Sequence, residues 1–503
     1  MNWLLVSCLL TPMMSAILAF LWPGSRRAKG MVSVVGSTLL FVFAALLLRQ
    51  VWNQGPISAQ MGGWQAPMGI TLVADHLSAL LVFVTAIVGV AVSVYALTDI
   101  DDARAKGGFD TFFQMLLTGV VGAFLTGDLF NLYVWFEVML ISSFALIVLG
   151  GGKKQLDGAV KYVAINLVST VLLLTAIGLV YGMAGTLNMA DLNGKLAAAP
   201  NQQLVTVVSV FFLIAFGIKA AVFPLYFWLP ASYHTLPISI VAVFAALMTK
   251  VGVYALIRSF TLIFTPQGDL IAQVIMAVAL LTMIVGVLGA LSHTNIRRIL
   301  TYHIIGSIGF MLIGLGLGSP IAMAASIFYM IQGILVKALL FMVIGVVEKQ
   351  GNSSELSELG GLYRSHPGFA MLYLLAALAL VGIPPLSGFW AKLMVLEAGI
   401  EHQAWLMISV VLLASLLTFI PLMRIWFEAF WKSAPKENNL EVNMNKLSMA
   451  PVLGLSVILL LIGLMPSSLI ALADLAASGV LDNESYLQVV LGSETAANVE
   501  IKP

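Results

Sequence analysis

Apolar segments recur along the chain from Asn2 to Leu472, each about 17 to 25 residues long and separated by short polar breaks. A helix of that length crosses a hydrocarbon core of about 30 Å, so each segment predicts one membrane-spanning helix. We predict about fourteen spans and therefore an all-α polytopic membrane protein, with 1–503 forming a single transmembrane domain. The predicted spans are 2–22, 31–50, 77–98, 110–127, 129–150, 161–183, 204–229, 237–264, 270–291, 299–318, 321–347, 369–400, 405–431 and 447–472.

The composition fits this pattern, since 60% of the 503 residues are hydrophobic and only 9% are charged, against roughly a quarter in a soluble domain. The first span lacks the basic start and the cleavage site of a signal peptide, so we expect it to remain as a helix. The single Cys8 excludes an intramolecular disulfide and a thiolate metal cluster within this sequence. We find no P-loop, dinucleotide fingerprint or H-E-x-x-H motif, and no polar segment long enough for a soluble catalytic domain.

Basic residues are divided unevenly between the two sets of loops. Cytoplasmic loops collect Lys and Arg, and the alternate loops here receive fifteen and four of the 24 basic residues. This asymmetry predicts that the basic loops are cytoplasmic and that both termini are extracytoplasmic. The larger set is Arg26, Arg27, Lys29, Arg104, Lys106, Lys153, Lys154, Lys161, Arg297, Arg298, Lys349, Arg364, Lys432, Lys436 and Lys446; the smaller set is Arg49, Lys195, Arg258 and Lys502.

The remaining five basic residues are not assigned to a loop and lie within predicted spans. Arg424 is near a helix end, where it either snorkels to the membrane surface or pairs with Glu428 one turn away. The other four are lysines with about ten largely apolar residues on either side, each costing roughly 2.5 to 3.5 kcal/mol on insertion. Their combined cost, on the order of 10 kcal/mol, indicates a functional role. They are Lys219, Lys250, Lys337 and Lys392.

Glu137 is the only acidic residue well inside a predicted span. A structural salt bridge between Glu137 and one lysine is the simpler interpretation, but it leaves three lysines unpaired. Removal from water disfavours the charged form of a lysine, so buried lysines can gain and lose protons at modest cost. We therefore predict a chain of switchable proton sites in the membrane interior.

Prolines predict two interrupted helices. Pro224 follows Lys219, and Pro384 with Pro385 precedes Lys392 in GIPPLSGFWAKLMVLEAG. Proline removes a backbone donor and opposes the preceding turn, and irregular backbone at membrane depth is tolerated where it is buried in protein or lines a wet cavity. The segments FPLYFWLP and PPLSGFWAK are alike, as expected for a transporter built from internal repeats. We predict inverted five-helix repeats over 110–264 and 270–431, followed by an extracytoplasmic tail over 474–503.

Several stretches together resemble the antiporter-like subunits shared by the membrane arm of respiratory complex I, membrane-bound hydrogenases and Mrp cation/proton antiporters. They are GDLFNLYVWFEVMLISSFAL, GIKAAVFPLYFWLPASYHTLPISIVAVFAALMTKVGVYAL, HTNIRRILTYHIIGSIGFMLIG and LVGIPPLSGFWAK. Within this superfamily, KYVAINLVSTVLLLTAIGLVYGMAGTLNMADL and the overall length resemble the D-type subunits of Mrp complexes. The resemblance implies fourteen helices in two inverted repeats, with the seventh and twelfth helices broken.

The resemblance also implies roles for individual residues. Glu137 would pair with Lys219 and modulate its affinity for protons. Lys250 and Lys337 match central positions of the proton relay, and Lys392 matches its last position. The implied partners are the other hydrophobic subunits of an Mrp-type complex in a bacterial inner membrane, including the larger, homologous A-type subunit, together with lipids, H⁺ and Na⁺ or K⁺. No redox cofactor and no nucleic acid partner are implied.

Four further residues are secondary candidates for the proton path. His234 is either a proton carrier between the cytoplasmic water and Lys250 or a polar residue at a helix end, and the same two interpretations hold for His303. Thr249 and Ser307 would order water, although hydroxyls in membrane helices more often bond locally. Asp128 is predicted to cap the fifth helix.

Three functions remain open from the residues alone. The first is an ion-translocating subunit of a multisubunit Na⁺ (or K⁺)/H⁺ antiporter; the second is a proton-pumping subunit of a redox complex related to complex I or a hydrogenase. The third is a scaffold that transports nothing. No group of carboxylates and carbonyl-rich turns predicts a sodium site, so we expect the cation to cross in a neighbouring subunit.

Overall fold

The computed structural model describes residues 2–22, 24–265, 269–433 and 445–492. Lys436, Lys502 and the end of the predicted tail, residues 493–503, lie outside the described residues. The long helices of the first part are α1 (Trp3–Leu21), α2 (Arg26–Gln54), α3 (His76–Asp99), α5 (Phe109–Leu125), α6 (Leu129–Val148), α7 (Lys153–Ala184) and α9 (Gln202–Ala220), with short helices α4 (Asp102–Lys106), α8 (Met189–Ala197) and α10 (Trp228–Ser232) between them.

The second part continues with α11 (Ile238–Ile263), α12 (Asp269–Ser292), α13 (Ile296–Leu317), α14 (Pro320–Gly351), α15 (Leu362–Ser365), α16 (Pro367–Val381) and α17 (Ser387–Glu401). It ends with α18 (Trp405–Trp431), α19 (Lys446–Leu464), α20 (Ser467–Leu481) and α21 (Glu484–Leu491). A small hairpin, β1 (Ile57–Gln60) and β2 (Thr71–Ala74), lies between α2 and α3, antiparallel and in register from Ile57 opposite Ala74 to Gln60 opposite Thr71.

Twelve helices of the described chain are long and apolar enough to cross a membrane, which confirms an all-α multi-pass membrane protein. The predicted span 110–127 corresponds to α5, which has 17 residues and is shorter than those twelve. The predicted span 369–400 is two helices, α16 and α17, and the chain between them carries both predicted prolines. The count of fourteen spans therefore remains a prediction.

The last predicted span is wrong in detail. The span 447–472 is divided, because α19 ends at Leu464 and α20 begins at Ser467, just after Pro466. Proline lacks the N–H that would continue the first helix. The start of the predicted tail is also ordered, since α20 extends to Leu481 and α21 follows. Val480 and Tyr486 are only 1% and 2% exposed, so this segment packs on the helices.

Helix ends in the loops are capped by the residues that precede them. Asp128 accepts a hydrogen bond from the Asn131 backbone and so caps α6, as predicted. Asp75 and Ser78 form a reciprocal capping box at the start of α3. Such caps satisfy the backbone donors that a helix leaves free at its start.

Two helices are enclosed by protein along their whole apolar length. The spanning windows of α11 and α14 are completely buried, whereas only about a third of the windows of α2, α18 and α19 is buried. The outer helices therefore present apolar surface to lipid or to partner subunits. The enclosed helices carry Lys250 and Lys337, so these two lysines lie at the centre of the molecule.

The assignment of Arg258 to a loop is wrong. Arg258 lies in α11, is 2% exposed and forms an ion pair with Asp75 over 2.5 Å. Asp75 precedes Arg258 by 183 residues, so a loop census of the linear sequence cannot detect the pair.

Candidate functional site

The helix that carries Lys219 is interrupted where Pro224 occurs in the sequence. The α9 helix ends at Ala220, Ala221 adopts a left-handed backbone conformation (φ 61°), and α10 begins only at Trp228. The last carbonyls of a helix have no intrahelical partner. The indole Nε1 of Trp228 donates to one of them, the Ile218 carbonyl, over 3.0 Å. The second half of the interrupted helix thus supplies a donor to a carbonyl at the end of the first half.

Lys219 is 4% exposed, and its ammonium has no hydrogen-bond partner among the described residues. The Nζ lies 5.0 Å from the centroid of the Phe136 ring. The face of an aromatic ring attracts a cation by about 0.5 to 2 kcal/mol, more when the cation is removed from water. This contact compensates only part of the cost of burying the charge. The described residues leave the rest of that cost uncompensated.

Glu137, next to Phe136 on α6, is half-buried. Its Oε1 accepts a 2.8 Å hydrogen bond from the Thr170 hydroxyl of α7. No hydrogen bond joins Glu137 to Lys219 in the described part of the chain, although the carboxylate acts on Lys219 electrostatically. The two groups are neighbours, and the direct pair implied by the resemblance stays a prediction.

Lys250 lies two residues beyond a π-helical turn, Phe244–Met248, in the middle of α11. Its Nζ donates to the Ala245 carbonyl of this turn over 2.5 Å. The neighbouring Thr249 hydroxyl is fully buried and has no partner in the described structure. Insertions of this kind disturb the regular hydrogen bonding of a helix and often occur at functional sites.

Gly252 brings the helices of Lys219 and Lys250 into backbone contact. A Cβ at Gly252 would lie 2.6 Å from the Ala220 nitrogen and 2.9 Å from the Lys219 carbonyl carbon. Only a residue without a side chain allows this approach. The end of α9 and the centre of α11 are therefore packed directly against each other.

Lys337 on α14 is completely buried and donates to the His303 carbonyl of α13 over 3.0 Å. Lys337 is close enough to both Lys250 and Lys392 for their charges to act on it. The Nε2 of His303 is buried without a described partner. Ser307 instead bonds locally, donating to the Ile304 carbonyl over 2.7 Å.

Lys392 lies beyond the second break. The α16 helix ends at Val381, Gly382 is left-handed (φ 91°), Pro384 and Pro385 lie in the connection, and α17 begins at Ser387. The Nζ of Lys392 donates to the Val381 carbonyl over 2.7 Å. Its ammonium therefore lies at the carbonyl end of a half-helix, where the helix dipole favours a positive charge.

None of the four lysines bonds to a carboxylate in the described structure; three bond to main-chain carbonyls and Lys219 has no partner. Buried polar atoms are nearly always satisfied by protein or by ordered water. The buried atoms without a hydrogen-bond partner in the described structure include Lys219 Nζ, Thr249 Oγ1, His303 Nε2, Gln332 Oε1 and Ser387 Oγ.

His234 lies in the turn between α10 and α11. Its Nδ1 is 2.9 Å from the Pro230 carbonyl, and Arg297 donates to the His234 carbonyl. Burial, followed by the positive charge of Arg298, lowers the pKa of His234 below its ordinary value. A cavity of about 360 Å³ opens nearby and is lined by Asp99, Thr235, Arg297, Glu348 and Lys349. The cavity is open to the protein surface and is lined by charged side chains, and we call it the charged mouth.

The Asp75–Arg258 pair is a second polar site that the sequence analysis did not identify. Burial raises the pKa of Asp75, but the Arg258 charge and hydrogen bonds from Ser78 lower it by more, so it lies below its ordinary value. The guanidinium also lies 5.0 Å from the Tyr486 ring centroid. The pair thus links α3 and α11 to the C-terminal α21.

Arg424 is exposed and reaches the His293 carbonyl, while Glu428 pairs with Lys432 over 2.9 Å. Of the two interpretations for Arg424, the pair with Glu428 is therefore wrong. Groups of three or more His, Cys, Asp or Glu that could hold a metal ion are absent from the described residues.

Comparison with known proteins gives consistent matches. Residues 126–418 match the family model described as NADH:quinone oxidoreductase/Mrp antiporter, TM. The D-type subunit of the Na(+)/H(+) antiporter of Bacillus subtilis (strain 168) is 39% identical, over 98% of this chain and 100% of that protein.

Two solved structures share the fold. A chain of the Mrp complex from Dietzia sp. DQ12-45-1b superposes with a TM-score of 0.90 at 28% identity, covering 98% of this chain and 100% of that chain. A chain of the membrane-bound sulfane sulfur reductase, an archaeal respiratory membrane complex, superposes with a TM-score of 0.86 at 26% identity, covering 97% and 99%.

Proposed function

This chain belongs to the NADH:quinone oxidoreductase/Mrp antiporter membrane family, and on that basis we propose that it is the proton-translocating subunit of a multisubunit Na⁺ (or K⁺)/H⁺ antiporter. Protons would move between Glu137, Lys219, Lys250, Lys337 and Lys392 within the membrane. The protein would act as a secondary transporter without a catalytic reaction of its own.

The observation that carries the proposal is the state of the four lysines. Each is buried, and none forms a hydrogen bond or ion pair with a carboxylate among the described residues. A purely structural lysine in an apolar interior is expected to be paired, because an unpaired buried ammonium costs several kcal/mol. A main-chain carbonyl attracts an ammonium more strongly than a neutral amine, and it carries no full charge that would fix the proton on the lysine. Such contacts therefore allow a lysine to gain and lose a proton.

The remaining sequence predictions become part of this proposal. Pro224, Pro384 and Pro385 would keep the two helix breaks open to water. His234, with His303, Thr249 and Ser307 as further candidates, would lead protons from the charged mouth towards Lys250. The segments 110–264 and 270–431 would be inverted repeats, and both termini would be extracytoplasmic in a bacterial inner membrane. Other hydrophobic subunits, including the larger, homologous A-type subunit, would complete the complex.

A redox-driven pump is the second candidate, because the fold is also that of a chain in a respiratory membrane complex. Sequence identity favours the antiporter, since a curated antiporter subunit is 39% identical, while the two solved structures are nearly equal at 28% for the Mrp chain and 26% for the reductase chain. Purification of the intact complex separates the two: iron–sulfur or flavin subunits would support the redox pump, and small hydrophobic subunits without them the antiporter.

Exchange by the assembled complex tests the proposal. Everted vesicles that contain the complex are energised, and the collapse of the pH gradient on adding Na⁺, Li⁺ or K⁺ is followed with a fluorescent dye. Lys219→Ala and Glu137→Ala are each expected to abolish exchange while all subunits still co-purify. Full exchange in both variants would show a scaffold and contradict the proposal.

A further inference from the structure

The turn that carries His234 is held from two sides. On one side α7 packs closely against it, because a Cβ at Gly158 would lie 3.1 Å from the Ser232 Cα. On the other side, the Nη1 of Arg297 donates to the Leu236 carbonyl over 2.5 Å and to the His234 carbonyl over 3.3 Å. Arg297 is in the first turn of α13, so the turn that carries His234 lies between α7 and α13.

Arg297 is itself held by Glu348, near the end of α14. The Nε of Arg297 donates to Glu348 Oε1 over 2.7 Å, and Nη2 donates to Oε2 over 2.5 Å. The two side chains are only 19% and 10% exposed. A guanidinium presents its donors in a rigid planar fork, and this one binds a carboxylate of α14 and two carbonyls of the turn at the same time. The three elements are therefore joined through one side chain.

The next residue of α14, Lys349, forms a second ion pair close by. Its Nζ lies 2.9 Å from Asp99 Oδ1. The other oxygen of Asp99 accepts from the backbone and the hydroxyl of Ser239 over 2.9 and 2.8 Å, and Ser239 is in the first turn of α11. Two adjacent charges of α14 thus help to hold the start of α11 and the turn before it. Both ion pairs line the charged mouth.

The ring of His234 is oriented by a hydrogen bond within the turn. Its Nδ1 lies 2.9 Å from the Pro230 carbonyl. A carbonyl can only accept, so this hydrogen bond requires a proton on Nδ1 and leaves Nε2 as the nitrogen that gains and loses a proton. Because Arg297 binds the backbone of the same short turn, a shift of that turn would move Nε2 relative to the mouth.

We propose that Arg297 and Glu348, which we call the entrance pair, are positioning residues that hold His234 at the charged mouth for proton uptake. The proposal rests on the proposed function and adds two residues to it. Neither residue of the pair would carry a proton itself. Glu348 would act through Arg297, and Arg297 would act through the backbone of the turn.

The entrance pair also affects the charge near His234. The positive charge of Arg297 acts on His234, as do those of Arg298 of α13 and Lys154 of α7. Glu348 balances Arg297 by direct contact. Loss of the Arg297 charge should therefore raise the pKa of His234, and loss of the Glu348 charge should lower it, because an unbalanced positive charge disfavours a second one nearby. Loss of packing alone would not produce opposite shifts. The other charged groups that line the mouth are Asp99, Arg104 and Lys349.

The test measures exchange in energised vesicles that contain the whole complex, from about pH 5 to about pH 8, a range around the ordinary pKa of histidine. Arg297→Gln and Glu348→Gln should each slow exchange about 10-fold at equal amounts of assembled complex. The pH of half-maximal exchange should move up in Arg297→Gln and down in Glu348→Gln. Arg297→Lys should also be slow but should keep the wild-type midpoint, because an ammonium retains the charge and lacks the fork.

Glu428→Gln is the matched control, because it neutralises a glutamate whose exposed pair with Lys432 lies within α18 and contributes little. It should keep the wild-type rate and pH profile. Wild-type rates in both entrance-pair variants, or midpoints that move together or stay fixed, would overturn the proposal. A wild-type pH profile in His234→Gln would also overturn it, and so would loss of assembly in the entrance-pair variants, which would show a purely structural pair. Full exchange in Lys219→Ala would instead contradict the proton relay, so the two proposals can fail independently.

Discussion

The carboxylate of Glu137 is held by the Thr170 hydroxyl over 2.8 Å, and no hydrogen bond links it to Lys219 in the described structure. Hydrogen bonds to charged groups contribute about 1.5 to 3 kcal/mol. We expect Thr170→Val, which keeps the shape and removes the donor, to slow exchange by about 10-fold or more. Initial rates of gradient collapse in vesicles measure the effect.

The matched variant for this prediction is Thr170→Ser, which retains the hydroxyl. It should exchange at close to the wild-type rate. If Thr170→Val is as fast as Thr170→Ser at equal amounts of complex, the hydrogen bond has no part in transport.

Asp75→Asn should destabilise the protein by about 3 to 5 kcal/mol, because it leaves the Arg258 guanidinium buried without a counter-charge. The pair is 4% and 2% exposed at its side chains. Thermal unfolding of the purified complex in detergent, followed by loss of co-purifying subunits, measures the change. Asp157→Asn is the control: it removes an exposed pair with Lys161 that contributes about 0 to 1 kcal/mol. Equal stability of the two variants would contradict the prediction.

The pKa of His234 predicts a pH-dependent loss of stability on the acid side. The pKa is lower in the folded protein than in the unfolded chain, so the unfolded chain binds the proton more tightly. Stability should therefore fall as the pH drops below about 6.5, the ordinary value for histidine. His234→Gln removes the titrating group, so it should retain more stability than the wild type as the pH is lowered from about 7.5 to about 5.5. Parallel curves for both proteins would show that His234 contributes nothing.

Gly252→Ala should weaken or misalign the contact between α9 and α11, because the added Cβ meets the Ala220 backbone at 2.6 Å. Overpacking of this kind costs about 1 to 3 kcal/mol, and we expect slower exchange because Lys219 and Lys250 move apart. Gly178→Ala on α7 is the control, since nothing lies within 4 Å of its added Cβ and alanine favours a helix over glycine by about 1 kcal/mol. A Gly252→Ala variant as stable and active as Gly178→Ala would refute the close packing.

The sequence was sufficient to predict the membrane class and the positions of most helices, because apolar length is read directly from the chain. Lys219 and Lys392 could be associated with helix breaks because proline marks such breaks locally. Arg258 could not be placed, since its partner Asp75 is far away in sequence and only packing brings the two together. The hydrogen bond from Gln332 to the Ala379 carbonyl could not be predicted for a similar reason, because the two residues are distant in the sequence and only packing brings them together.

Thr170 illustrates a different gap. Hydroxyls in membrane helices often bond to their own backbone, as Thr175 on the same helix does, so sequence alone gave no reason to separate the two. Thr170 differs from Thr175 because it lies on the side of α7 that faces Glu137. A comparison of helix faces could have identified Thr170, but only if α6 and α7 were already known to be neighbours.

The complete enclosure of α11 and α14 separates their lysines from the surroundings of the protein. Lipid, bilayer thickness and adjoining subunits act directly on the outer helices, whereas Lys250 and Lys337 experience none of these directly. A core insulated in this way can keep its packing when the surroundings differ, and chains of this fold are found both in an Mrp complex and in a respiratory membrane complex.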